Sequence, residues 1–366
     1  MKIIHVTDLH IAPVGKVPAS RVEASYQDTV WEELNTLKED IEKESPDVIC
    51  VTGDIFHFKS PTSYHPYDIS RMAEYVDSLC APVLVIPGNH DLPASSMARL
   101  RESPLWLLSR SARNIKMCDS EEYIRKPIYT FVNRGDAYRI WGIPYMPLDT
   151  VTSLLRELDR NISDTKTGNV TDIVMIHADF IPDANVNVFF KVYSQYSLPY
   201  LCPHADIFLQ GHIHLSFPPL MIDRGFSVPV EGYASITEDN HSPMPSRYMI
   251  SKPWSLGRVV KDYFNTTDIL LHQHVPSYAV VTENTIEYKP LSNFRPSSEV
   301  FQDDSLKKDV ESSKMVSSFV DGLEKRFGSS EKALEIQTPE DMLNTMPSEV
   351  RATIQEYLEK AEKVNE

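Results

Sequence analysis

Five short clusters in this chain carry side chains able to hold metal ions and move protons. Asp8-Leu9-His10 sets a carboxylate and an imidazole two positions apart; just beyond a strand, both can turn towards one cation. In Gly53-Asp54 the glycine permits a tight turn and close approach, and the carboxylate can bridge two cations. Gly88-Asn89-His90-Asp91 offers a neutral amide oxygen as ligand and, beside it, an imidazole held near the metals without having to ligate them. Asp91 could accept a hydrogen bond from that imidazole and set its tautomer. Gly211-His212-Ile213-His214 places two imidazoles on one side of an extended segment, and His177 stands alone. Each cluster has a plain alternative, a polar turn or an ordinary histidine. Together, in one chain order, they point to a metal site. Carboxylate, amide and imidazole donors without thiolate fit manganese, iron or zinc in a catalytic setting rather than a structural zinc.

Each cluster follows a β-type run: Lys2 to Thr7, Val48 to Thr52, Pro82 to Pro87, Asp172 to Ile176 and Ile207 to Gln210. The runs are nearly continuously apolar, as in a sheet covered on both faces. Helical patterns separate the first strands. Val22, Tyr26, Val30, Leu34, Leu37 and Ile41 form one apolar stripe, and a second helix is expected over Tyr67 to Leu79. Alternating strands and helices predict βαβ units and an open α/β sheet, with functional groups gathered beyond the carboxyl ends of the strands. From Ile213 to about Pro296 the sequence is β-like and is expected to form a second sheet of the same domain. Residues 1–296 are therefore assigned to the catalytic domain. Residues 297–366 read as a helical C-terminal region, opening on a polar linker at Ser297 to Asp304.

A chain of 366 residues can bury a large core, and its 42% hydrophobic and 24% charged residues are ordinary for a globular protein. No apolar stretch is long enough to span a bilayer, and the N-terminus lacks signal-peptide character, so a cytoplasmic protein without a membrane partner is expected. Cys50, Cys80, Cys118 and Cys202 are scattered and read as reduced thiols. The formal net charge of −16 argues against a binder that relies on a basic surface. Divalent cations would reverse the local field, so a phosphate substrate is not excluded. Lys16, Arg21, Lys59, Arg99 and Arg101 are expected in loops around the cleft, as backbone contacts or as ordinary surface charge. His5 reads as structural; His65, His204 and His241 have no partner pattern, and His272 with His274 reads as a surface pair.

The motifs Asp8-x-His10, Gly53-Asp54, Gly88-Asn89-His90-Asp91, His177 and Gly211-His212-x-His214 resemble those of calcineurin-like metallophosphoesterases. The resemblance implies a two-sheet α/β/β/α sandwich with, here, a C-terminal helical extension. It implies that Asp8, His10, Asp54 and His214 bind one metal, and Asp54, Asn89, His177 and His212 the other, with Asp54 bridging and His90 facing the scissile phosphate. The expected cofactors are two divalent ions, Mn2+ foremost.

A narrower resemblance is to SbcD-type nuclease subunits, carried by Gly53-Asp54-Ile55-Phe56-His57, Trp141-Gly142-Ile143-Pro144-Tyr145 and Gly232-Tyr233-Ala234-Ser235-Ile236. It implies exonuclease action on double-stranded DNA and endonuclease action on single-stranded or hairpin DNA, with His57 assisting at the phosphate or helping to place His90. It also implies a coiled-coil ATPase partner of the SbcC type, with this subunit a homodimer in the assembly. The chain departs from that group in having only 70 residues after Pro296, which leaves little room for a capping domain. Two rivals stand beside this reading: a phosphoesterase acting on a small phosphate ester or nucleotide, and a non-catalytic scaffold, against which the intact donor set speaks.

Overall fold

The computed structural model describes residues 1–13, 16–18, 21, 26–182, 192–223, 247–259 and 274–300. The expected C-terminal helices, the Gly232 to Ile236 segment, Val22, His241 and His272 lie outside the described residues.

The strands in chain order are β1 (Lys2–Val6), β2 (Val48–Val51), β3 (Val83–Val85), β4 (Ile115–Met117), β5 (Tyr129–Asn133), β6 (Asp136–Ile143), β7 (Val170–His177), β8 (Phe180–Ile181), β9 (Tyr193–Ser194), β10 (Ile207–Gly211), β11 (Leu220–Asp223), β12 (Arg247–Ser251), β13 (Ser277–Thr282) and β14 (Ile286–Pro290). They form two six-stranded sheets, β14-β13-β1-β2-β3-β4 and β11-β12-β10-β7-β6-β5, and a small β8-β9 pair. Within the first sheet β1, β2, β3 and β4 are parallel; within the second, β6, β7, β10 and β12 are parallel. Antiparallel strands occupy the margins, where β13 pairs with β1, β14 with β13, β11 with β12 and β5 with β6.

Side-chain alternation builds the layers. Ile3, Val48, Cys50, Leu84 and Ile86 of the first sheet pack with Ile173, Met175, Ile207 and Leu209 of the second in one inter-sheet core. On the outer face of the first sheet, Ile4, Val6, Ile49, Val51, Val83 and Val85 pack against α1 (Tyr26–Glu44), α2 (Pro66–Asp77) and α3 (Pro104–Ser111). On the outer face of the second, Val174, Ile176 and Phe208 meet Val151, Leu155, Leu158 and Ile162 of α4 (Leu148–Thr165). The result is the expected α/β/β/α sandwich. The α2 helix begins on Pro66, with His65 as its N-cap accepting the Tyr67 N–H, which gives that histidine a structural role.

Sheet membership corrects the sequence reading in two places. Among the described residues, the stretch from Ile213 to Pro296 makes no sheet of its own: β11 and β12 extend the second sheet, whereas β13 and β14 cross to the first and flank β1. The five clusters also do not crown a single sheet. Those after β1, β2 and β3 belong to one sheet, and those of β7 and β10 to the other. Apolar runs of this kind report burial on two faces but not which strand lies alongside.

Two charged or polar groups are buried where exposure was expected. His274 is 2% exposed, donates its Nε2–H to the Ser255 carbonyl at 2.8 Å with the Ser255 hydroxyl 3.3 Å from the same nitrogen, and stacks on Trp254. Arg21 is 1% exposed and donates to the Arg258 carbonyl. Arg258 in turn pairs with the buried Glu33 of α1, so this group ties the loop after β12 to the first helix layer. All four cysteines are free thiols, and only Cys80 is exposed. Among the described residues no helix is long and apolar enough to cross a membrane.

Candidate metal centre

The site forms where the two sheets meet at the carboxyl ends of their parallel strands. Beyond β1 and β2 the chains keep pairing: Asp8 N–H donates to Gly53 O at 3.1 Å, His10 N–H to Asp54 O at 2.9 Å and His57 N–H to Ile11 O at 2.9 Å. Alternation along β7 aims His177, like Ile173 and Met175, between the sheets, where its Nδ1 lies 2.7 Å from Thr52 O. Gly211 continues the inter-sheet face of β10; a Cβ there would sit 1.9 Å from Thr52 O, so the two sheets approach this closely only because the residue is glycine.

Asp8, His10, Asp54 and His212 all have positive φ (53°, 49°, 52° and 91°). Four of the eight such non-glycine residues among the described ones therefore fall in this site. Each costs of order 1–3 kcal/mol and persists only where surrounding contacts dictate it. Here the ladder bonds of the two loops do so for Asp8, His10 and Asp54, and Asp8 Oδ1 holds the His212 N–H.

The donor atoms converge in two groups. Asp8, His10, Asp54 and His214 lie within 4.8 Å of one another, as do Asp54, His177 and His212. Asp54 belongs to both, and the Asn89 side-chain oxygen lies 3.2 Å from His177 Nε2. Asp54 Oδ2 is 3.7 Å from His10 Nε2 and 3.5 Å from His177 Nε2. Asp8 is held from behind: Oδ1 accepts the His212 N–H at 3.1 Å and Oδ2 the Thr7 hydroxyl at 2.5 Å.

The electrostatics suit cation binding. Burial, then the neighbouring His214, hold His10 well below its ordinary pKa; burial brings His214 to about 4. Both imidazoles are thus neutral and carry a lone pair, yet their Nε2 atoms sit 2.8 Å apart. One proton can satisfy that pair, and so can a cation. Burial pushes Asp54 up, but His177, His10 and His90 outweigh it and hold the carboxyl well below the usual range. Burial lowers His177, but Asp54 outweighs it and raises the imidazole to about 9, as a nitrogen drawing positive charge beside a carboxylate should be. His212 Nδ1 is buried without a hydrogen-bond partner. The donor chemistry of these seven residues fits two divalent cations.

A third group, His10, His57 and His90, borders the first. His57 Nδ1 is 3.4 Å from His10 Nδ1, and the His57 and His90 rings stack at 5.2 Å between centroids. Burial, then His90, lowers His57 to about 4. His90 Nδ1 lies 2.7 Å from His57 O, so it donates to that carbonyl and leaves Nε2 bare. This corrects the role expected for Asp91. Its carboxylate does not reach the His90 ring; it accepts the backbone N–H groups of Ile55, Phe56 and Gly88 at 3.3, 3.1 and 3.0 Å. Asp91 points into the core and clamps the two turns that carry Asp54 and Asn89. The carbonyl of His57 sets the His90 tautomer instead.

Of the expected cleft cations, Arg99 pairs with Glu102, and Lys59 donates to Ser95. One cation the sequence reading missed is Lys252. It is 1% exposed, its Nζ lies 3.6 Å from Asp8 Oδ2, and burial lowers its pKa. Asp179, also missed, lies beside His212. Neither belongs to a motif: one lysine after a strand and one aspartate in a turn carry no spacing signal.

The family model for calcineurin-like phosphoesterases matches residues 1–216. An SbcCD nuclease subunit from Staphylococcus epidermidis is 32% identical over 25% of this chain and 23% of its own. The DNA double-strand break repair protein Mre11 of Methanopyrus kandleri is 23% identical over 59% of this chain and 45% of its own. A Synechococcus protein assigned as a cyclic nucleotide phosphodiesterase is 29% identical over 25% of this chain and 32% of its own. The matched stretches span less than half of each relative's length.

Proposed function

This chain belongs to the calcineurin-like phosphoesterases, and from that premise we propose that it is a metal-dependent DNA nuclease. The observation that carries the proposal is the pair of donor groups sharing Asp54, bordered by the stacked His57 and His90. Asp8, His10, Asp54 and His214 would hold one cation, and Asp54, Asn89, His177 and His212 the other. Two divalent cations held there supply Lewis-acid polarisation of a phosphate and a water of lowered pKa.

The protein's own residues do the rest. His90, with Nδ1–H committed to the His57 carbonyl, would act in its imidazolium form, whose second N–H, on Nε2, stabilises developing negative charge or passes its proton to the leaving sugar oxygen. His57 stacks against His90 and keeps that ring in place, which supports a role at the phosphate. Asp91 acts through the turns it clamps.

The names of the nuclease and break-repair relatives support DNA as substrate. The assigned specificity of the Synechococcus relative supports a second reading, hydrolysis of a small phosphodiester. Linear double-stranded DNA, single-stranded DNA, hairpin DNA and cyclic nucleotides should be compared in manganese with and without chelator. Chelator-sensitive DNA cleavage with idle cyclic nucleotides is expected; the reverse pattern overturns the nuclease reading. A coiled-coil ATPase of the SbcC type is the proposed partner, docked at its coiled-coil base through the tail, chiefly residues 342–363, as an assembly containing two copies of this chain. With 16 acidic and 9 basic residues, the stretch 297–366 is a poor phosphate-gripping arm, which leaves DNA grip to the partner. Deletion of 338–366 should abolish co-purification with the ATPase and leave single-strand cleavage nearly intact; unchanged binding would move the interface elsewhere.

A further inference from the structure

Asp179 follows His177 by two residues, in the turn between β7 and β8. Its neighbours Ala178 and Phe180 are buried, and its backbone carbonyl accepts the Tyr193 N–H at 3.0 Å, so the turn is pinned. Its Oδ1 is buried and lies 3.0 Å from His212 Nε2, with the ring N–H out of line with it. The other nitrogen of that ring, Nδ1, is buried and has no hydrogen-bond partner. Asp179 is not one of the groups whose donor atoms converge with Asp54 and His177, whereas His212 is. The imidazole therefore belongs to the donor cluster and also has a carboxylate beside its Nε2.

We propose that Asp179 is a positioning residue that fixes the tautomer of His212. A neutral imidazole carries one N–H and one lone pair. A carboxylate 3.0 Å from Nε2 favours the proton there. The lone pair then resides on Nδ1, the atom otherwise left buried and unsatisfied, and is presented to the second cation. Carboxylates that orient metal-ligating histidines in this way raise ligand basicity and typically contribute about 10–100-fold in metal affinity. The inference rests on the two-cation reading of the site.

Two measurements on the full-length chain test it. Mn2+ titration by calorimetry should show two sites in the wild type. Asp179→Ala should weaken one of them by about 10–100-fold. Asp179→Asn, whose side-chain oxygen still accepts from Nε2–H, should keep most of the affinity. Two wild-type sites with an unchanged Asp179→Ala variant overturn the role of Asp179 and leave the two-cation reading standing. Fewer than two wild-type sites overturn the two-cation reading itself. The second measurement needs neither metal nor a folded variant at position 179. Long-range 1H–15N correlation spectra of histidine-labelled wild type in chelator should show His212, identified by its loss in His212→Gln, protonated on Nε2. Protonation on Nδ1 overturns the proposal.

Discussion

Replacing Gly88 by alanine should disable the site without removing one of its polar groups. Gly88 has no positive φ, so alanine meets no backbone strain there, and the effect isolates the close approach. A Cβ at this position would lie 2.1 Å from Asp54 Oδ1 and 2.5 Å from Asp54 N. Favourable carbon contacts begin at about 3.5 Å, so the turn or the carboxylate must yield by about 1 Å. Asp54 is fully buried, and its Oδ1 accepts the His90 N–H at 2.7 Å. Overpacking costs about 1–3 kcal/mol, and loss of a hydrogen bond to a charged group about 1.5–3 kcal/mol. Together they imply a loss on the order of 4 kcal/mol and a fall in Tm on the order of 10 °C for a domain of this size. A displacement of about 1 Å at a reacting centre costs about 100-fold in rate. Calorimetric unfolding in chelator, Mn2+ titration and manganese-dependent cleavage should all register the change. A variant with Tm within about 2 °C of wild type and unaltered metal binding would refute the close-packing account of this turn.

Four further substitutions probe other parts of the same centre. Asp54→Ala should abolish cleavage and weaken both cations, because this carboxylate belongs to both donor groups; two fully occupied sites by anomalous scattering would contradict that. His90→Ala should keep both metals while turnover falls about 10²–10⁴-fold, and loss of a metal would make His90 a ligand. Asp91→Ala strands three buried backbone N–H donors, at about 1–3 kcal/mol each; an unchanged unfolding temperature in chelator would remove its clamping role. Lys252→Met removes a buried cation 3.6 Å from Asp8 Oδ2. Like charges a few ångström apart repel by several kcal/mol at protein dielectric, so Mn2+ affinity should rise by about tenfold or more, and weaker binding would show that Lys252 instead orients Asp8.

Much of the centre was legible in the residues themselves, because its signals are local. Asp8-Leu9-His10, Gly53-Asp54, Gly88-Asn89-His90 and Gly211-His212-Ile213-His214 each combine a donor pair or a turn-forming glycine with the end of an apolar run. Such a combination identifies a strand's carboxyl end without knowledge of its neighbours. The two-faced burial of β1, β2 and β3 was readable for the same reason. Tertiary structure alone decided which strands share a sheet. It set β7 and β10 opposite β1 and β2 rather than beside them, and carried β13 across to flank β1. Pairing over hundreds of residues depends on chain path and packing, to which a local pattern is blind. It also chose the partners of isolated polar groups. Asp91 turned to three backbone amides instead of the His90 ring, and Lys252 was buried against Asp8 from 244 positions away. A buried charge takes whatever counter-charge the fold brings within reach, and its own sequence neighbours do not specify what that will be.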